Sequence, residues 1–175
     1  MSTMSDHRRT QVMATANSLI DSPSVLYTTP DQGMSPEIGF DCSGFVTYVL
    51  REAGLHVPKF IGMDDETRPI RHANEYWDHY GAPVHEDRAQ LGDLVFFSRN
   101  GISPTHVGFL TYHGTMIHAP GLDNTLVDEA LITDYMNEAP RTGTGRKLYG
   151  RNPIGYKALT TTLDRPTARY HQRSL

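Results

Sequence analysis

Residues Gly39-Phe40-Asp41-Cys42-Ser43-Gly44-Phe45 hold the only cysteine of the 175-residue chain, where an extended stretch gives way to a helical pattern. From there Phe45, Val46, Val49, Leu50 and Ala53 recur at helical spacing and make one apolar face. Asp41 or Ser43 suits the cap of that helix. Gly54 suits its left-handed end, and Pro58 blocks continuation. An apolar face must pack against something, which places Cys42 at the tip of a buried helix. The free N–H groups and positive end of a helix favour a thiolate over a thiol, and the thiolate is the nucleophile. The expectation is a Cys42 of lowered pKa. A lone cysteine is equally a small buried hydrophobe, so its role turns on the bases found elsewhere in the chain.

The length suits one domain with a full core. We divide it into a helical lead-in (1–24), a catalytic domain (25–160) and a polar tail (161–175). A net charge of −4, from 16 basic and 20 acidic residues, argues against nucleic acid as a partner, which would call for a basic patch. One cysteine excludes an intramolecular disulfide framework. Residues 1–10 are polar, with no apolar signal core, and no stretch is apolar enough to span a membrane. The expectation is a protein made in the cytoplasm that reaches any external target by a non-classical route or by lysis.

Along the chain, residues 11–20 carry helical spacing, with 1–10 a frayed end or lead-in. Residues 28–39 read as a loop with Pro30, Gly33, Pro36 and Gly39. Residues 59–69 read as a mixed charged connection. A helix is expected over 70–80, bearing Tyr76, Trp77 and Tyr80, whose simplest use is as core or groove wall. Leu94-Val95-Phe96-Phe97 reads as a buried strand. Residues 105–111 and 115–119 read as a hairpin, 128–138 as weakly helical, 140–150 as a mobile Gly/Thr-rich loop, and 154–159 as a last strand.

Nine histidines are present, and position chooses among them. His106 and His118 lie on the two arms of the expected hairpin. A two-residue turn, His113-Gly114, puts them on opposite faces. A three-residue turn, Tyr112-His113-Gly114, pairs Thr111 with Thr115, sets His118 opposite Gly108 and brings it to the face of His106. Gly114 then falls where such a turn needs a left-handed residue, and same-face diagonal neighbours are close enough for long side chains to touch. The three-residue turn is the expected one. His106 then takes the proton of Cys42, and His118 bonds its other ring nitrogen to fix tautomer and orientation. A metal site built from His106, His113, His118 and Cys42 is an alternative that lacks compact ligand spacing. No cofactor is called for.

Four stretches in order, Phe40-Asp41-Cys42-Ser43-Gly44-Phe45, Leu91-Gly92-Asp93-Leu94-Val95-Phe96-Phe97, His106-Val107-Gly108-Phe109 and Met116-Ile117-His118-Ala119-Pro120, resemble the NlpC/p-sixty cell-wall peptidases over about residues 25 to 158. The resemblance implies an α+β papain-like fold, with an N-terminal nucleophile helix packed on a central antiparallel sheet. It implies Cys42 as nucleophile, His106 as base and His118 as third member. It also implies a peptidoglycan stem peptide or muropeptide as substrate, cut between D-glutamate and a diamino acid. Tyr27 matches a tyrosine whose hydroxyl lies near the oxyanion site, and Asp41 and Ser43 match positions that hold the free amine of the stem peptide. The chain departs from the pattern at Thr28 and Thr29, where glycines are usual, and over residues 60–88. Without an export signal, a phage enzyme, a delivered toxin with an immunity or delivery partner, or a recycling enzyme fits the resemblance best. The alternatives are the same Cys-His-His machinery acting on another amide or acyl substrate, and a binding module that uses Tyr76, Trp77 and Tyr80 as a platform.

Overall fold

The computed structural model describes residues 4–26, 33–61, 67–98, 102–133 and 153–160. Helix α1 (Asp6–Ser18) starts five residues before the expected point, because Ser5 caps it by accepting the Arg8 N–H. Its Val12, Met13 and Ala16 join the core that buries helix α2 (Cys42–Glu52), and helix α3 (Ala73–His79) lies within the stretch expected to be helical.

The strands follow in chain order: β1 (Pro23–Ser24), β2 (Met34–Ser35), β3 (Gly39–Phe40), β4 (Lys59–Ile61), β5 (Thr67–Pro69) and β6 (Pro83–Val84). The second half adds β7 (Leu94–Ser98), β8 (Pro104–Leu110), β9 (Thr115–His118), β10 (Thr125–Leu126), β11 (Asp128–Leu131) and β12 (Pro153–Lys157). The main sheet runs β11-β9-β8-β7-β12-β6, every neighbour antiparallel. This is the expected α+β arrangement, with the nucleophile helix packed on a central antiparallel sheet. A smaller sheet, β10-β1-β3-β2, secures the chain as it enters α2.

Three local expectations need correction. The 128–138 stretch is not helical at its start, since Asp128–Leu131 pairs with β9 along its whole length. Four residues at a sheet edge are too few for a period to show. The charged connection at 59–69 is a small hairpin, β4 with β5. The loop over 28–39 contains β2, paired with β3. Tyr76 and Tyr80 are wholly buried, with rings 5.7 Å apart, and Trp77 packs against Phe96. Tyr76 and Tyr80 are core wall and Trp77 is half-buried against it, which takes the two tyrosines away from the platform of the binding-module alternative.

The apolar face of α2 is complete: Phe45, Val46, Val49 and Leu50 have no exposure. Burying each contributes about 1.5–3 kcal/mol, enough to fix the helix against the sheet. Asp93, in the Leu91-Gly92-Asp93 stretch, ties the layers together. Its buried carboxylate accepts from Arg9 of α1, from the Leu159 N–H after β12 and from the Gln90 N–H.

Gly44 decides how closely α2 approaches the entering chain. A Cβ built there would lie 1.7 Å from the Gly33 carbonyl oxygen, so one of the two segments would have to move. Gly44→Ala should destabilise the protein by about 2 kcal/mol or more. Urea denaturation checks this, and a variant of unchanged midpoint would contradict the close approach.

Candidate active site

The site begins with the cap of α2. The Asp41 carboxylate accepts the Gly44 N–H at 2.8 Å and the Ser43 hydroxyl at 3.2 Å. The Arg71 guanidinium grips the same carboxylate with both terminal nitrogens, one of them at 3.0 Å, and also donates to Ser43 Oγ at 3.1 Å. All three side chains are buried. Asp41 is thus the cap, and Ser43 joins its network. Glu75 of α3 holds the Arg71 backbone, accepting its N–H at 2.8 Å. Sequence reasoning missed Arg71 because the stretch around it was set aside as unmatched. The available signal was a carboxylate next to a nucleophile at a buried helix start, which requires a nearby cation.

Cys42 is half-buried at the first turn of α2. Its sulfur meets the backbone N–H groups of Val107 and Ser43, so it lies against β8 one residue from His106. Its pKa is pushed up from 9.0 to about 12, first by burial and then by the Asp41 carboxylate; the two N–H groups and Arg71 work in the opposite direction. This corrects the expected lowering. The helix tip does favour a thiolate, but removal from water and an adjacent carboxylate outweigh it.

The hairpin has the expected three-residue turn. Phe109 pairs with Ile117 and Leu110 with Met116, and the Thr111 N–H donates to the Thr115 carbonyl at 2.9 Å. Gly114 has φ of 73°. The same register sets His118 across from Gly108, where an added Cβ would come within 3.1 Å of the His118 Cβ. That space is closed rather than open, so glycine is what lets His118 sit there. His106 Nε2 lies 2.8 Å from His118 Nδ1, with the rings perpendicular. Both residues are buried. With Nε2 engaged by His118, Nδ1 is the His106 ring nitrogen outside that bond. Burial, and then His118, hold the His106 pKa well below 6.5. Both shifts favour the uncharged forms, the thiol and the neutral imidazole.

A further residue reaches the site from β11. Asp128 stands opposite His118 in the strand register, with Oδ1 3.1 Å from His118 Nε2. Sequence reasoning missed it by reading its stretch as helical.

Tyr27 and the 140–150 loop lie outside the described residues. Among the described residues no group of three or more His, Cys, Asp or Glu is placed to hold a metal ion. A cavity of about 700 Å³ lies elsewhere, lined by Arg9, Gln90, Leu91, Tyr112 and Tyr156. It touches none of Cys42, His106 and His118, so side-chain chemistry and not cavity size locates the site.

The chain belongs to the NlpC/P60 family, whose family model matches residues 30–142. It is 33% identical over 106 residues to the murein DD-endopeptidase MepH of Escherichia coli, covering 59% of this chain and 35% of that protein. It is 28% identical over 117 residues to the gamma-DL-glutamyl hydrolase of Bacillus subtilis, covering 64% of this chain and 24% of that one. The chain therefore spans about a third or less of the length of these two curated relatives. Among solved structures, a lipoprotein-like NLP/P60 protein of Staphylococcus aureus superposes with a TM-score of 0.61 at 22% identity, over 91% of this chain and 44% of that one. Another, RipD of Mycobacterium tuberculosis, is described as non-catalytic and adapted to peptidoglycan binding (TM-score 0.50, 21% identity, 81% and 94% covered).

Two outcomes follow from the buried charges. Folding lowers the His106 pKa, so below pH 6.5 the unfolded chain binds a proton that the folded chain refuses. The His106 contribution to stability is whole above that pH and is lost as pH falls, by at most about 1.4 kcal/mol per unit. Cys42 has the opposite sign: its contribution is whole below pH 9.0 and is lost as pH rises toward about 12. Urea midpoints should therefore fall on either side of a neutral plateau, and His106→Gln should flatten the acid side. Separately, Arg71→Met leaves the Asp41 carboxylate buried without its cation and should cost about 3–5 kcal/mol. Pairing it with Asp41→Asn should recover part of that loss in a double-mutant cycle.

Proposed function

We propose that the protein is a cysteine peptidase that hydrolyses an amide of bacterial peptidoglycan stem peptides, between D-glutamate and a diamino acid, through an acyl-enzyme. The observation that carries this reading is the Cys42, His106 and His118 set: a sulfur against the backbone one residue from His106, and a His106 ring held by His118 at 2.8 Å. The name of the gamma-DL-glutamyl hydrolase relative supports the choice of bond.

The chemistry runs from a neutral pair. As Sγ attacks the carbonyl carbon, its proton passes to His106 Nδ1. The carbonyl electrons move to oxygen, and the Cys42 backbone N–H steadies that oxyanion from the first turn of α2, where helix N–H groups lack helical partners. The Tyr27 hydroxyl is the second donor in this proposal. Collapse of the tetrahedral intermediate breaks the C–N bond, and His106 returns the proton to the leaving amine. Water then attacks the thioester while His106 takes its proton, and the carboxylic acid leaves with the thiol restored. Starting from neutral groups, the step separates charge only as the new bond forms, which suits a buried site. Asp41 and Ser43 are proposed to meet the free amine of the stem peptide. Both are bound to Arg71, so the amine approaches a carboxylate already neutralised.

A second reading is a D,D cross-link as the bond cut, favoured by the name of the MepH relative. Defined muropeptides separate the two. The protein should release the diamino acid fragment from γ-D-glutamyl substrates and leave D,D cross-linked dimers intact, and Cys42→Ala should lower turnover at least about 10³-fold. Equal digestion by wild type and Cys42→Ala would sink the peptidase reading. Turnover confined to dimers would replace the bond, and turnover confined to other amides or acyl esters would replace the substrate class.

A further inference from the structure

The geometry points to Asp128 as a positioning residue that selects the base form of His106, two side chains away. A neutral imidazole carries one ring proton, and the hydrogen bond at one nitrogen decides which nitrogen holds it. Asp128 is a carboxylate on β11, and its Oδ1 lies 3.1 Å from His118 Nε2. A carboxylate only accepts, so one facing that nitrogen favours the His118 tautomer with its proton on Nε2 and a bare Nδ1. That Nδ1 lies 2.8 Å from His106 Nε2, so His106 must be the donor and carry its own proton there. Its Nδ1 is then the unprotonated nitrogen, the form a base for the thiol needs. The opposite arrangement, with His118 Nδ1–H donating to His106 Nε2, would put a proton on His106 Nδ1 and leave no base for the thiol.

Two buried histidines in contact do not choose between these arrangements by themselves, because each ring can donate or accept. The carboxylate at the end of the chain breaks the tie. Once His106 takes the thiol proton, the row ends in a negative charge that stabilises the imidazolium through His118. The side chain of Asp128 is 56% exposed while that of His118 is 2% exposed, so the carboxylate reaches into the buried pair from the solvent edge of the sheet. It can therefore be replaced without opening the core. Its role rests on the peptidase reading for its consequence, though not for its existence.

The test compares wild type with Asp128→Ala and Asp128→Asn on the full chain, at a pH near neutrality. Ring nitrogen NMR shifts report the tautomers of His106 and His118, and iodoacetamide reports the reactivity of Cys42, the only thiol. Wild type should show His118 and His106 both protonated at Nε2. Asp128→Ala should mix the tautomers and slow both alkylation and muropeptide turnover about tenfold, at unchanged melting temperature. Asp128→Asn, whose amide can donate to His118 Nε2 and which carries no charge, should lose the wild-type tautomers and the rate as Asp128→Ala does. Unchanged tautomers in Asp128→Ala, or wild-type tautomers and rate in Asp128→Asn, would overturn the assignment. If the tautomers and alkylation shift as expected but wild type turns over no muropeptide, the relay stands and the proposed function falls.

Discussion

The geometry of the site depends on one carboxylate. Asp41 accepts the N–H that starts α2, the hydroxyl of Ser43 and both terminal nitrogens of Arg71. Each bond alone is a modest gain, but together they fix the one turn that carries the sulfur. The buried face of α2 sets where that turn lies against the sheet, and Gly44 sets how closely the entering strand follows it. Arg71 balances the charge that this arrangement places beside the sulfur. Burial is the first cause that raises the thiol pKa; the same carboxylate adds to it and its cation works against it, so the group that starts the helix also acts on the sulfur.

The sheet supplies the second half by register alone. A three-residue turn with a left-handed Gly114 sets β9 against β8 so that His118 comes to the face of His106. A turn one residue shorter would send His118 to the other face. β11 then adds Asp128 opposite His118. Helix tip, hairpin register and sheet edge thus bring Cys42, His106, His118 and Asp128, distant in sequence, to one region of the fold.

Much of this was legible in the sequence, for identifiable reasons. Helix α2 announced itself through the period of Phe45, Val46, Val49 and Leu50, and the turn through Gly114 and the need to bring two histidines to one face. What escaped was set by tertiary contacts. The sign of the Cys42 pKa shift depends on burial and on the Asp41 charge, neither of which a helix-start rule contains. Arg71 reaches Asp41 across 30 residues, and Asp128 belongs to an edge strand too short to show a period. Arg9 was read as part of a frayed end or helix lead-in, and its burial against Asp93 follows only from the packing of α1 on the sheet.

The central claim is that the single sulfur makes the bond to substrate. Because Cys42 is the only cysteine, graded alkylation tests it without any substitution: the alkylated fraction is read by intact-protein mass and residual muropeptide turnover is measured on the same samples. The account predicts that turnover falls in proportion to the alkylated fraction and vanishes at one adduct per chain. Full turnover by fully alkylated protein would contradict it.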